Sequence, residues 1–389
     1  MIKVITVGCR LNQAEGDQLL RVPTGAQFGN SVINNGSQVH IINTCAVTKE
    51  AVRTSWKMIR RSLKSKIKNQ KSKLIVTGCL TTIEREKLLN TPGIDLVITQ
   101  DEKVALLRNE PQLENIINPK RSRPVVKVQD GCPNDCSFCI ARIIRGKPKS
   151  VTQDEIRLEI ARLVNLGYQE IVLTGLNLGY YGIDFGSSLT QLLKSIPDRA
   201  FRIRLSSIEP DTITDELLEL WSSKRLCRHL HVPLQSGDSR ILKLMHRKYT
   251  PDDYSRLIDK IISSIDGVNI GADIIVGFPY EDESAFLNTL KLARELPFGY
   301  LHIFPYSPRP WTEAAKLPDT VAPDVKKERV HILREIALKK KAEFVKKFIG
   351  NNLEILVEDN NIGISDNYIR VPGPSDGNYK KGQLYNLTV

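Results

Sequence analysis

The sequence lacks an apolar run of the length that membrane proteins need. A transmembrane helix takes about 20 predominantly apolar residues, and no stretch of the 389 residues approaches that length. The segment from Met1 to Val7 is too short for the apolar region of a signal peptide, and no cleavage motif follows it. We therefore expect a cytoplasmic protein with no membrane partner, in a compartment where thiols stay reduced.

Acidic residues are also scarce relative to basic ones. The chain has 44 Asp and Glu residues against 56 Lys and Arg residues, which gives a formal net charge of +12. An excess of positive charge favours polyanionic partners, and nucleic acid is the leading candidate. The alternative is a basic surface that serves only solubility, and charge alone does not decide between the two. The length predicts two or three domains.

Only seven residues are cysteine, and three of them lie close together. Cys132, Cys136 and Cys139 follow an apolar run at residues 124–128 with C-x3-C-x2-C spacing. A structural zinc ion needs four ligands, and a four-iron cluster takes one cysteine per iron. Three cysteines therefore leave one iron open to a ligand that is not protein. The alternative is a zinc loop with a distant fourth ligand, but no further His or Cys lies nearby to supply it.

Three more cysteines follow predicted strands. Short apolar runs at 2–7, 39–42, 74–76 and 96–98 alternate with helical segments, which predicts a parallel α/β sheet. Ligands bind beyond the carboxyl ends of such strands. Because Cys9, Cys45 and Cys79 each come just after a strand, we expect them to converge as the ligands of a second metal cluster. The alternative is that they are buried cysteines acting as small hydrophobes.

From residue 125 the pattern predicts six strand–helix units. The strands are expected at 125–128, 170–174, 201–205, 229–232, 267–276 and 300–304, and repeated units of this size predict a partial (β/α)6 barrel. Helices are expected at 152–166, 189–195, 211–221, 251–264 and 283–296, with caps indicated at Thr152 and Thr250. Five consecutive strands end in polar or glycine-rich segments, namely the three-cysteine loop and residues 174–182, 206–210, 231–237 and 273–281. Together these strand ends predict an active site at one end of the barrel.

Two segments are candidates for contact with nucleic acid. Residues 53–73 carry many Lys and Arg residues around an apolar helical face, which favours contact with phosphates over a merely solvated surface. A second basic amphipathic helix is expected at 324–348. Short β-type runs at 353–357, 368–371 and 384–389 then predict a small antiparallel β-barrel.

At this point four motifs resemble those of the radical S-adenosylmethionine (SAM) methylthiotransferase family. They are Gly8-Cys9-Arg10-Leu11-Asn12-Gln13, Ile42-Asn43-Thr44-Cys45-Ala46-Val47-Thr48, Thr77-Gly78-Cys79 and Gln129-Asp130-Gly131-Cys132. The sequences of these motifs are most similar to those of the family branch that acts on N6-threonylcarbamoyladenosine in tRNA, beside the anticodon. The resemblance implies an α/β domain at 1–110, a linker at 111–123, a radical SAM partial barrel at 124–322, a basic helix at 323–347 and an RNA-binding TRAM-like domain at 348–389.

The resemblance also implies cofactors and site residues. Cys132, Cys136 and Cys139 would hold the catalytic [4Fe–4S] cluster that binds SAM, and Cys9, Cys45 and Cys79 would hold a second [4Fe–4S] cluster that carries the sulfur. Candidates to orient SAM are the strand-end residues Asn177, Glu209, Gln235, Ser236 and Glu281. The implied reaction replaces hydrogen at carbon 2 of the adenine with a methylthio group, by radical chemistry supplied by the cofactor. Its partners would be tRNA, a reducing electron donor and a sulfur source.

Two alternatives stay open at the level of the sequence. The nearer one is a methylthiotransferase for isopentenyl-type adenosine in tRNA or for an aspartate of a ribosomal protein. The other is a non-catalytic, metal-bearing RNA-binding protein, for which the basic helices and the terminal barrel would suffice.

Overall fold

A computed structural model describes residues 2–23, 27–28, 31–32, 38–68, 72–109, 118, 121–197, 200–223, 225–358, 362–372 and 379–388. The chain divides into two compact units. The first contains residues 1–119, 139–147 and 309–311, and the second contains residues 120–138, 148–308 and 312–389.

The first unit is built on a parallel sheet. Its strands are β1 (Ile2–Thr6), β2 (Gln27–Phe28), β3 (Ser31–Val32), β4 (Val39–Thr44), β5 (Lys73–Gly78) and β6 (Leu96–Val97). Its helices are α1 (Arg10–Leu19), α2 (Lys49–Lys68), α3 (Leu80–Ile83), α4 (Arg85–Leu89), α5 (Gln100–Asn109) and α6 (Ile140–Arg145). The sheet order β1-β4-β5-β6 confirms the predicted α/β arrangement. Before β4, strands β2 and β3 pair as a short antiparallel ladder.

Both faces of this sheet are covered. Successive side chains of a strand point to opposite faces, and Ile41 and Ile75 belong to one apolar cluster while Ile42 and Val76 belong to another. This explains why the strands read as continuous apolar runs rather than as an alternating pattern. Helix α2 contributes Trp56 and Ile59 to the second cluster.

The second unit contains the predicted partial barrel. Its strands are β7 (Val125–Lys127), β8 (Gln129–Asp130), β9 (Lys149–Ser150), β10 (Glu170–Thr174), β11 (Arg202–Leu205), β12 (His229–His231), β13 (Asn269–Val276) and β14 (Tyr300–Pro305). Strands β7, β10 and β11 pair in parallel, as do β12, β13 and β14, and a parallel bridge between Ser207 and His231 joins the two sets. The order of the six strands therefore follows the chain, as the repeated βα units predicted.

Each helix of the barrel begins after a residue whose side chain caps it. They are α7 (Gln153–Asn165), α8 (Leu189–Ser195), α9 (Asp215–Leu218), α10 (Ser239–Leu244), α11 (Pro251–Ser264) and α12 (Glu283–Glu295). Thr152 and Thr250 each form a capping box with the acidic residue three positions later. The prediction of one helix over 211–221 was wrong, because the Thr214 side chain caps a new helix there and α9 is flanked by short 3-10 turns.

After the barrel, α13 (Pro323–Lys346) confirms the predicted basic helix. Strands β15 (Asn352–Val357), β16 (Ile362–Ser365), β17 (Arg370–Pro372) and β18 (Leu384–Thr388) then form an antiparallel sheet in the order β17-β16-β15-β18. The sequence missed β16. The antiparallel sheet was predicted correctly, whereas its closure into a barrel and its TRAM-like role stay predictions.

The C-terminal sheet is joined to the barrel through a buried ion cluster. Glu170 accepts hydrogen bonds from the Nε atoms of Arg202 and Arg204 at 2.6 and 2.7 Å. The same two guanidinium groups donate to the main-chain carbonyls of Glu354, Ile364, Ser365 and Asp366. The cluster therefore provides hydrogen-bond donors for backbone carbonyls of the C-terminal sheet, which packing against the barrel would otherwise leave without partners.

Several predictions fall on residues outside this description. Lys71 and most of the predicted linker, residues 111–117 and 119–120, are outside the described ranges, and the predicted domain boundaries stay predictions. Within the described ranges, each helix is either too short or too polar to cross a membrane.

Candidate active site

Three cysteines of the first unit lie together at one edge of its sheet. Cys45 and Cys79 come directly after the paired strands β4 and β5, and Cys9 comes three residues after β1. Cys45 and Cys79 are buried, whereas Cys9 is exposed. Burial, together with the nearby thiols of Cys79 and Cys9, raises the pKa of Cys45 to about 12. Three residues from distant parts of the sequence thus share one electrostatic environment.

Two glycines allow the loops to approach this closely. Gly8 has a φ of +103°, and a Cβ atom there would lie 2.7 Å from the Sγ of Cys45. Gly78 has a φ of +94°, and its Cβ would lie 2.4 Å from the carbonyl oxygen of Thr44. L-residues rarely adopt this conformation, so glycine is required at both positions for geometric reasons.

A buried asparagine fixes the loops relative to each other. The side chain of Asn12 donates to the carbonyls of Val7 and Thr44 at 2.7 and 2.8 Å. Asn43 in turn donates to the carbonyl of Asn12 at 2.8 Å. These bonds join the loop after β1 to the end of β4, which are the segments that carry Cys9 and Cys45.

Beside the thiols lies a buried ion cluster. Glu15 accepts from Lys103 at 2.6 Å and from Arg145 at 2.9 Å, and the side chains of Glu15 and Lys103 are fully buried. The Nη2 atom of Arg145 lies 3.9 Å from the Sγ of Cys79. Burial lowers the pKa of Lys103, although Glu15 opposes this, whereas Arg145 places a guanidinium group beside Cys79.

This environment fits an anionic iron–sulfur cluster. A thiol with a raised pKa is neutral near pH 7 unless a metal ion stabilises its thiolate form. Four-iron clusters bind thiolates and are tuned by nearby charges and hydrogen bonds. The three thiols supply the sulfur donors, and Arg145 supplies a cation beside them.

In the second unit, Cys132 and Cys136 lie between two polar side chains. Asn177 Nδ2 is 3.5 Å from the Sγ of Cys132, and Arg247 Nη1 is 3.4 Å from the Sγ of Cys136. Burial raises the pKa of both thiols, and these two neighbours oppose the rise. Cys139 belongs to the first unit, where it immediately precedes α6.

The Gln129-Asp130-Gly131-Cys132 motif has a structural explanation. Gln129 is buried, its amide donates to the carbonyl of Gly131 at 2.7 Å, and its Oε1 accepts from the backbone of Asn177 at 3.0 Å. A Cβ on Gly175 would lie 2.7 Å from that same Oε1. Gln129 therefore fixes the three-cysteine loop relative to the glycine-rich loop, which is residues 174–182 after β10.

Asn177 retains unused hydrogen-bonding capacity. Its Oδ1 is buried and, within the described residues, has no hydrogen-bond partner. A buried acceptor without a partner costs free energy, and a ligand with an N–H or O–H group would satisfy it. The SAM amino group is a donor of this kind.

The other SAM candidates lie at strand ends but in different environments. Glu209 pairs with Arg247, which also contacts Cys136. Gln235 has a φ of +65° and continues the main-chain ladder beside β13. Ser236 is fully buried, and its Oγ accepts from the backbone of Asp238 at 3.2 Å.

Glu281 lies in the loop between β13 and α12. It accepts from the backbone of Gly277 at 2.9 Å and from Arg329 of α13 at 2.8 Å. Burial raises the pKa of Glu281 to about 7, although Gly277 and Arg329 lower it. Of the five candidates, Asn177 contacts Cys132 directly and Glu209 is linked to Cys136 through Arg247. Ser236 and Glu281 contact other parts of the second unit instead.

Sequence reasoning missed three residues of these sites. Arg145 and Arg247 contact cysteines that are distant in sequence, and neither belongs to a motif that signals such a contact. The hydroxyl of Tyr180 donates to Asp211 at 2.8 Å and lies 3.1 Å from Asn134 of the cysteine loop. The only sequence signal for Tyr180 was its position in the glycine-rich loop, residues 174–182.

Comparisons with known proteins agree with this arrangement. The profile of the Radical SAM superfamily matches residues 126–293, and the profile described as Uncharacterized protein family UPF0004 matches residues 1–99. A Thermotoga maritima protein named threonylcarbamoyladenosine tRNA methylthiotransferase MtaB is 36% identical over 381 residues, covering 92% of this chain and 86% of the relative.

Two further relatives extend the comparison. An Aquifex aeolicus protein with the same name is 35% identical over 411 residues, covering 99% of this chain and 98% of the relative. A protein of Endomicrobium trichonymphae named tRNA-2-methylthio-N(6)-dimethylallyladenosine synthase is 31% identical over 373 residues, covering 92% of this chain and 89% of the relative.

These matches span both units rather than the barrel alone. Membership of the Radical SAM superfamily implies SAM and a [4Fe–4S] cluster as cofactors. The extent and identity of the similarity to the full-length relatives establish that this chain is an enzyme of the radical SAM methylthiotransferase family.

Proposed function

We propose that this chain inserts a methylthio group at carbon 2 of N6-threonylcarbamoyladenosine beside the anticodon of tRNA, using two [4Fe–4S] clusters. The relatives named for that nucleoside are 36% and 35% identical to this chain, against 31% for the one named for dimethylallyladenosine. We propose tRNA, a reducing electron donor and a sulfur source as its partners, and the five-part domain division given by the resemblance.

The observation that carries the two-cluster proposal is the grouping of Cys9, Cys45 and Cys79. The thiols share one environment, and the guanidinium group of Arg145 lies beside Cys79. A set of buried small hydrophobes would need no such charge. The three thiolates would hold three irons of a four-iron cluster, and the fourth iron would be open to a ligand that is not protein.

For the catalytic cluster we propose Cys132, Cys136 and Cys139 as ligands. Asn177 would offer its unpaired Oδ1 to SAM, and Arg247 would hold Glu209 beside the cysteine loop. When bound, SAM and the reduced cluster supply the radical chemistry that an unactivated aromatic C–H bond requires. The protein's own residues bind and orient the reactants and keep the cysteine loop fixed to the glycine-rich loop.

For tRNA binding we propose helix α2. Arg53, Lys57, Arg60, Arg61 and Lys64 are exposed, while Trp56 and Ile59 on the other face are buried in the core. The only acidic residue of this helix is Glu50, which pairs with Arg53 at 3.6 Å. Such a concentration of positive charge suits the phosphate backbone.

Iron analysis tests the two-cluster proposal. After anaerobic reconstitution we expect about eight iron atoms per chain, at four per cluster. Replacing Cys45 and Cys79 with Ala should lower the value to about four. The matched control is Cys227→Ser, because Cys227 is also buried but belongs to neither set of three. Four irons in the wild type, or an unchanged value in the double variant, would contradict the proposal.

Nucleoside mass spectrometry tests the substrate. The nucleoside 2-methylthio-N6-threonylcarbamoyladenosine should be absent from the tRNA of cells that lack the gene. It should return when the wild-type gene is restored. Loss of the dimethylallyl product instead would assign the alternative nucleoside, and loss of neither would exclude a tRNA substrate of this type. SAM cleavage by the reduced protein distinguishes any of these enzymes from a non-catalytic RNA-binding protein.

A further inference from the structure

Three side chains of the types that bind metal ions converge inside the second unit, and none of them is a cysteine. His231, Asp273 and His302 come from the neighbouring parallel strands β12, β13 and β14. One potential ligand atom from each residue lies within 4.8 Å of the other two. The register explains the grouping, since Asp273 pairs directly with His302 while His231 pairs with Gly271, two positions earlier on β13.

The distances match those between ligands of one metal ion. Asp273 Oδ1 is 3.0 Å from His231 Nε2 and 3.2 Å from His302 Nδ1. Bonds of about 2.1 Å to zinc place neighbouring ligands roughly 3.0–3.4 Å apart, depending on the coordination geometry. Two imidazoles and one carboxylate are a donor set that zinc and non-haem iron sites use.

The second ring nitrogen of His231 already has a partner. The hydroxyl of Tyr300 lies 3.0 Å from His231 Nδ1 and 2.8 Å from His229 Nε2. Outer partners of this kind orient histidine ligands and fix the tautomer that leaves the other nitrogen free for the metal. Gly271 makes room for the tyrosine, because a Cβ there would lie 1.9 Å from the Tyr300 ring.

The group is also accessible from one side. The side chain of His231 is 9% exposed, that of Asp273 is 26% exposed and that of His302 is 56% exposed. A cation can therefore enter past His302, and positions of its coordination shell not taken by protein remain open to water or another oxygen ligand.

We propose that His231, Asp273 and His302 form a binding site for a divalent transition-metal ion of the zinc class, separate from the cysteine sites. The alternative is a hydrogen-bonded His–Asp–His group that binds no metal. In that case both histidines donate to Asp273 and need no further ligand. The two possibilities differ in a measurable way, because only the first loses zinc when a ligand is removed.

Zinc analysis on the full-length protein tests the site. The protein, with its iron–sulfur clusters reconstituted, is equilibrated with Zn²⁺ and freed of loosely bound metal, and zinc and iron are counted separately. We expect one zinc per chain. At the zinc absorption edge, which excludes the iron, the first shell should contain nitrogen and oxygen at about 2.0–2.1 Å and no sulfur at about 2.3 Å.

Matched variants assign the residues. His302→Ala should lower the zinc affinity at least tenfold, and Asp273→Asn, which keeps the side-chain shape, should do the same. The control is His331→Ala, because His331 is an exposed histidine that also faces a carboxylate, Glu335, at 3.3 Å; it should retain the zinc. Unchanged iron content shows that each variant is folded.

Three results would overturn the proposal. They are a sulfur shell around the zinc, equal zinc affinity in the wild type and both ligand variants, and a zinc content near zero in the wild type. Each of these leaves the two-cluster proposal untouched, because that proposal is tested by iron and depends on different residues.

Discussion

Arg145 joins a carboxylate and a cysteine: its Nη1 donates to Glu15 at 2.9 Å, and its Nη2 lies 3.9 Å from the Sγ of Cys79. The side chain of Arg145 is almost fully buried. A positive charge held this close to a cluster ligand is only weakly screened by solvent. It should therefore favour the reduced, more negative state of a cluster bound there.

Arg145→Gln should make the reduction potential of the cluster bound by Cys9, Cys45 and Cys79 more negative by tens of millivolts. Redox titration followed by electron paramagnetic resonance measures this shift. The control is Arg142→Gln, which removes a cation from the same helix. A potential that does not change, with iron content preserved, would show that Arg145 has only a structural role.

Gly78 should be needed for the geometry of the Cys79 loop. Gly78→Ala combines a φ of +94° with a Cβ only 2.4 Å from the carbonyl oxygen of Thr44. We expect a loss of at least about 2 kcal/mol in the free energy of unfolding, together with loss of about half of the iron. Denaturant unfolding and iron analysis measure the two effects.

Gly167→Ala separates backbone strain from the clash. Gly167 has a φ of +89°, but nothing lies within 4 Å of the position of its Cβ. This variant should lose only about 1–2 kcal/mol from the left-handed backbone and should keep all of its iron. Equal losses of iron in the two variants would contradict the role given to Gly78.

The sequence predicted that Cys45 and Cys79 lie close together because the strand before each cysteine can be recognised from nearby residues alone. Apolar runs identify the parallel strands, and the carboxyl ends of parallel strands share one edge of a sheet. Cys45 and Cys79 therefore had to lie near each other once β4 and β5 were paired in register. The caps at Thr152 and Thr250 were predictable for the same reason, because they depend on residues three positions away.

Contacts that depend on packing could not be predicted in this way. Arg247 contacts Cys136 across 111 positions of sequence, and Arg145 contacts Cys79 across 66. No periodicity records which of many basic residues will enter a site. The helix expected over 211–221 failed for a different reason, since the cap at Thr214 outweighed the apolar pattern.

Glu170 should determine the acid stability of the barrel and the C-terminal sheet. Burial alone would raise the pKa of Glu170, but the guanidinium groups of Arg204 and Arg202 hold it well below its usual range. A carboxylate with a lowered pKa stabilises the folded state above its unfolded pKa of about 4.5, and that stability is lost as the pH falls through lower values. Wild-type stability should therefore drop below about pH 4.5.

Glu170→Gln should remove this contribution at every pH. Breaking a buried ion cluster by deleting one partner costs about 3–5 kcal/mol, so the variant should be much less stable at pH 7 and should respond less to acid. The control is Glu216→Gln, because Glu216 pairs with Lys194 at 2.7 Å on the exposed surface; it should change stability by less than about 1 kcal/mol. If the free energy of unfolding depended on pH in the same way in both variants, the assignment to Glu170 would be contradicted.

Helix α2 should supply more of the tRNA affinity than α13. Arg60, Arg61 and Lys64 are exposed on α2, and Lys339, Lys341 and Lys346 are exposed on α13. Each triple change to Glu alters the net charge equally, so a nonspecific effect of charge would weaken binding to the same extent in both. If α2 contacts phosphates directly, only the α2 variant should bind with a weaker salt dependence. The slope of log affinity against log salt concentration should then be smaller in magnitude by roughly 2–3. Binding titrations between 50 and 200 mM salt measure that slope, and a larger loss in the α13 variant would move the proposed tRNA contact to that helix.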